Sequence, residues 1–115
     1  MILTSTYRLG VYPDNKPLHI KLGWRSNSIR VKFQLYAGEH GILDIPSGAS
    51  VVMMGRDGTT PKGVVGSYAL TDGIPTVTID LPSDVISEVG MNEFELVLVS
   101  GNYCLSTATF ILDVQ

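Results

Sequence analysis

Apolar and polar residues alternate with a period of two along most of the chain. Ile29, Val31, Phe33 and Leu35 alternate with Arg30, Lys32 and Gln34, and Val77, Ile79 and Leu81 with Thr76, Thr78 and Asp80. Phe94, Leu96 and Leu98 share one face of Glu93–Val99, and Ala108, Phe110, Leu112 and Val114 one face of the last run. Successive side chains of a strand point to opposite faces, so each run buries one face and turns the other to water or a neighbour. Turn residues separate the runs: Pro13-Asp14-Asn15, Ser47-Gly48, Arg56-Asp57-Gly58-Thr59, Asp72-Gly73 and Ser100-Gly101-Asn102. Their spacing predicts an all-β fold, a sandwich of seven or eight antiparallel strands. One short helical turn is expected near residues 83–89, with Ser83 as its N-cap and Gly90 as its stop.

At 115 residues the chain is expected to form one domain with a core of its own. Only 17% of its residues are charged, too few for a disordered or coiled-coil chain. Its single cysteine, Cys104, excludes an internal disulfide framework and a multi-cysteine metal site. The N-terminus lacks a basic segment leading into an apolar run and so does not read as a signal peptide, and no apolar stretch is long enough to span a bilayer as a helix.

Charge divides along the chain. Residues 1–36 hold six cations against Asp14 alone, whereas residues 37–115 hold two cations against ten carboxylates, for a net charge of −3 overall. A nucleic-acid binder usually carries a basic excess, so no nucleic-acid partner is expected. Two readings of the division stay open. Arg30 and Lys32 could face Glu93 and Glu95 across the sheet, or a basic side could dock onto an acidic partner.

Catalytic patterns are missing from the sequence. His19 and His40 sit in no motif, and Gly66-Ser67-Tyr68 lacks the flanking glycines of a nucleophile elbow. Cys104, placed by alternation on one face with Ser106, Ala108 and Phe110, is expected to be an inert core thiol. No enzyme activity, metal or cofactor is expected. Trp24 could plug one end of the fold or anchor a protein contact, since Trp and Arg are over-represented at contact hot spots. Val97, Val99 and Ile111 are apolar on the nominally outer face and mark a second candidate contact surface.

From about Ile20 to Val114 the order of these signals resembles the N-terminal domain family of phage upper baseplate proteins. The resemblance rests on Trp24-Arg25-Ser26-Asn27-Ser28-Ile29-Arg30-Val31, on Ile42-Leu43-Asp44-Ile45-Pro46-Ser47-Gly48-Ala49-Ser50-Val51, and on the Arg56-Asp57-Gly58-Thr59 turn. It extends over the segment from Leu81 to Gly90 and over Ser106-Thr107-Ala108-Thr109-Phe110. Met1 to Pro17 lie outside it, as an N-terminal strand or arm. The resemblance implies an immunoglobulin-like β-sandwich and a non-enzymatic virion role, as a baseplate, tail or fibre-attachment module made in the host cytoplasm. It also implies assembly with itself, as a trimer or a multiple of three, and with other virion proteins. The candidate contact residues are Arg8, Lys21, Trp24, Arg25, Arg30, Lys32, Val97 and Ile111. A capsid decoration or head-fibre protein of the same build is the alternative, as is a carbohydrate- or peptide-binding sandwich.

Overall fold

The computed structural model describes residues 2–11, 17–22, 28–38, 43–55, 63–82 and 90–114. Among them are nine strands: β1 (Ile2–Gly10), β2 (Leu18–Leu22), β3 (Ser28–Tyr36), β4 (Ser50–Gly55), β5 (Val64–Thr71), β6 (Ile74–Leu81), β7 (Gly90–Ser100), β8 (Tyr103–Ser106) and β9 (Phe110–Val114). They form one continuous path, β1-β3-β6-β5-β4-β7-β9-β2, with β8 also on β7. The all-β expectation holds, but the expected antiparallel sandwich does not describe this path. The sheet is mixed, because β1 runs parallel to β3 and β2 parallel to β9. Alternation reports which face a residue takes and carries no information on strand direction. The helical turn expected near residues 83–89 and the turn at Arg56–Thr59 lie outside the described residues.

Two features curl this path into a nearly barrel-like shape. On one side β5 turns a corner, pairing Val64–Gly66 with β4 and Ser67–Thr71 with β6. Gly66 is the corner residue, where an added Cβ would lie 2.9 Å from the Thr78 carbonyl oxygen and against the end of Ile79. On the other side the Gly10 carbonyl, at the end of β1, accepts a 2.9 Å hydrogen bond from Ala108 N–H, just before β9. The end of β1 thus touches the segment between β8 and β9 at one point, and the segment Met1–Pro17 contributes a full strand to the sheet.

Inside lie the alternating apolar residues of both halves, including Val31, Phe33, Val77 and Ile79 from one and Met53, Leu96, Leu98, Phe110 and Leu112 from the other. Phe33 and Phe110 meet between the halves, their ring centroids 4.7 Å apart. Aromatic pairs at such separations contribute about 0.5–1.5 kcal/mol beyond their burial. Asp72 and Gly73, joining β5 to β6, both have positive φ (52° and 78°). That is the conformation a two-residue hairpin requires for strands of natural twist.

A bulge divides β8 from β9. Val97 faces Ser106 and Phe94 faces Phe110, so Glu95 and Leu96 lie opposite the three residues Thr107, Ala108 and Thr109. The extra residue reverses which face the alternation selects. Tyr103 and Leu105 pack against the core in β8, whereas Phe110, Leu112 and Val114 do so in β9. Cys104, expected in the core, is therefore exposed. Thr107 closes the bulge. Its N–H donates to Leu96 O, its hydroxyl accepts from Leu96 N–H, both at 3.0 Å, and the hydroxyl donates to Ala108 O at 2.9 Å.

Candidate protein-contact surfaces

The outer face of β1, β3 and β6 gathers three of the eight candidate residues. Register places Thr4, Arg30 and Asp80 in one row, Thr6, Lys32 and Thr78 in the next, and Arg8 beside Gln34. One of the two readings left open by the sequence put Glu93 and Glu95 opposite Arg30 and Lys32. Instead Arg30 faces Asp80, donating from Nε to Oδ1 at 2.7 Å and from Nη2 to Oδ2 at 3.3 Å. The hydrogen bond from Arg30 holds the Asp80 carboxyl below its ordinary range, and the same bond holds the guanidinium charged. Both groups are well exposed, so the pair adds little to stability. Arg8 is engaged too, its guanidinium carbon 4.7 Å from the Tyr36 ring centroid. Lys32 lines an open groove of about 510 Å³ with Arg30, Val65, Ser67, Thr78 and Asp80.

The outer face of β2, β9, β7 and β4 holds Lys21, Val97 and Ile111. Lys21 is opposite Asp113, and His19 is opposite Ile111. His19 Nε2 lies 2.9 Å from Asp113 Oδ2. With Glu93 and Glu95 on β7, this face carries three carboxylates against one lysine among the described residues. The charge division along the chain thus becomes a division between two faces, because β1 and β3 build one and β7 and β9 the other. Trp24 and Arg25 lie outside the described residues, as do Tyr12, Asn27 and His40.

A valine row crosses this second face. Val65 on β5, Val52 on β4 and Val97 on β7 are in register, followed by Ser106 on β8. Val65 is 79% exposed, and Val99 and Met54 beside the row are also exposed. The outward placement of Val97, Val99 and Ile111 follows from alternation alone. Val65 also lines the groove of Arg30 and Lys32, so it sits at the corner where the two outer faces meet. Alternation turns it outward, but only its register with Val52 and Val97 joins it to this row.

Among the described residues the groups that could do chemistry are scattered. Cys104 lies beside Val99 and His19 beside Ile111, which faces Glu93. Val99 and Glu93 are six residues apart on β7, roughly 20 Å, far beyond the reach of a nucleophile and its base. Among the described residues no three His, Cys, Asp or Glu side chains group as a metal site. The described residues contain no helix long and apolar enough to cross a membrane.

No protein-family model and no curated protein matches the chain. Among solved structures it is similar to the N-terminal domain of phage TP901-1 ORF48, with a TM-score of 0.65 and 18% identity. That likeness covers 100% of this chain and 99% of the other, so β1 lies within it. The chain therefore shares its whole mixed-sheet fold with a domain of a phage protein.

Proposed function

We propose that this protein is a non-enzymatic structural module of a phage virion, in a baseplate, tail or fibre-attachment position, joined to other virion proteins. The observation that carries the reading is the end-to-end likeness to the ORF48 domain, which extends over both chains almost completely. The surfaces agree with a binding role. Among the described residues Cys104 and His19 stand apart from one another, whereas Val65, with Val99 and Met54 beside the row, exposes an apolar side chain.

The valine row is the better docking surface of the two. Two cations of the basic face already have partners within the chain, Arg30 in Asp80 and Arg8 in Tyr36. Val65, by contrast, exposes its apolar side chain almost fully. Docking led by apolar contact changes little between low and physiological salt, whereas docking led by the basic face weakens steeply.

An antibody to the chain is expected to label one locus on particles made from the genome that encodes it. Val65→Asp is expected to lower incorporation into particles at least about tenfold while changing stability by less than about 0.5 kcal/mol, as exposed substitutions usually do. Particles that lack the chain would overturn the virion role. Undiminished incorporation of the variant would move the contact to another face.

A further inference from the structure

We propose that two copies of this chain pair edge to edge through β1, antiparallel, about a two-fold axis at Ser5. This contact needs only β1 and stands apart from the virion role. Among the described residues β1 pairs along one side alone, with β3. The direction of its peptide groups follows from two bonds. Val11 N–H donates to Tyr36 O at 3.1 Å, toward β3, while Gly10 O turns the opposite way to accept from Ala108. Within a strand a residue's own N–H and C=O point to the same side, and consecutive residues alternate. Thr4, Thr6 and Arg8 therefore direct their peptide groups outward, and Gly10 O alone of that edge has a backbone partner among the described residues.

Exposed edge strands ordinarily carry a charge, a proline or a bulge, or are very short. β1 is nine residues long, and its stretch Leu3-Thr4-Ser5-Thr6-Tyr7 has none of these guards. The occupant this edge suits is its own copy. Antiparallel self-pairing must match outward residues with outward residues. Centring the axis on Thr6 would bring the second strand against Gly10, whose carbonyl is already committed to Ala108. Centring it on Ser5 gives the longest register that stays clear of Gly10. Thr4 then faces Thr6 of the partner subunit in a hydrogen-bonded pair, and threonine pairs suit neighbouring strands. On the core-side face Leu3, 41% exposed, meets the partner's Tyr7. Arg8 falls opposite residue 2, so no like charges meet. The symmetry gives a dimer, or an even-numbered assembly if another contact adds a different axis.

Ser5 would face its own copy in a non-hydrogen-bonded pair, with Cα atoms about 4.5 Å apart, inside the range a disulfide bridges. Ser5→Cys in a Cys104→Ser background is expected to cross-link to a covalent dimer under mild oxidation about tenfold faster than Thr4→Cys in the same background. Adding Thr6→Pro removes one outward N–H and leaves the bonds to β3 in place, so it is expected to abolish the advantage of Ser5→Cys. Equal rates at the two positions, or a Ser5→Cys rate indifferent to Thr6→Pro, would overturn the proposal. Particle labelling reports on the virion role separately, since cross-linking succeeds or fails whatever the locus of the protein.

Discussion

Tyr68 Oη is buried without a hydrogen-bond partner, a condition that costs about 1–3 kcal/mol for a polar group. Burial pushes its phenol above the ordinary range, with smaller contributions from Tyr103 and Asp44. Tyr103 is raised in the same way, by burial first and Asp44 second. A raised folded-state pKa means that folding favours the neutral phenol. The stability this confers is complete below the unfolded value of about 10 and is lost as pH rises through the folded values. Urea midpoints are therefore expected to fall as pH rises through and above about 10, the unfolded value. Tyr68→Phe keeps the ring and removes the unpartnered hydroxyl. Its stability near neutrality should equal or exceed the parent's by up to about 1 kcal/mol, and its alkaline loss should be shallower. A steeper alkaline loss would show that the hydroxyl has a partner in solution. Nothing in the run Val64–Thr71 announces this buried phenol, because its depth depends on what packs over it.

At the scale of the elements, β5 illustrates what a single glycine decides. The Asp72-Gly73 turn that is legible in sequence marks the end of this strand, Val64–Thr71. Its change of partner from β4 to β6 at Gly66 is not legible, since an isolated glycine in a strand pattern is compatible with a bulge, a bend or a close approach. Gly66→Ala places a methyl against Ile79 and the Thr78 carbonyl, and is expected to cost about 1–3 kcal/mol in urea unfolding. Shortening the neighbour in Gly66→Ala/Ile79→Val should return part of that loss, giving a coupling of at least about 0.5 kcal/mol. Strict additivity would mean that the carbonyl contact alone sets the cost. The bulge at Thr107–Thr109 works similarly. It converts one legible apolar run into two strands of opposite phase and sends Cys104 outward.

For the whole molecule, stability depends on joining two halves that, among the described residues, are linked through β5 at Gly66 and by the Gly10–Ala108 hydrogen bond. Phe110 is fully buried where the halves meet, 4.7 Å from Phe33 and 6.2 Å from Phe94 by ring centroids. Phe110→Ala is expected to cost about 3–5 kcal/mol, the range for a buried aromatic truncated in a core. Far- and near-ultraviolet circular dichroism should still report one coincident transition, because neither half has a core without the other. Two separate transitions in the variant would show that the halves fold independently. The same closure separates the basic outer face of β1 and β3 from the acidic one of β7 and β9, so the architecture produces the polarity of the surface.

The sequence by itself determined the all-β class, most strand positions and, in β3, β6, β7 and β9, which residues face the core. Those properties are local: a two-residue period, a turn residue's tolerance of positive φ and the sign of each charge belong to short stretches of chain. Tertiary structure alone decided strand direction, the pairing of Arg30 with Asp80 in place of Glu93, the exposure of Cys104 and the joining of Val65 to Val52 and Val97. Each of these depends on register between segments far apart in the chain. One inserted residue at a bulge, or one glycine at a corner, reverses a face without changing the alternation on either side.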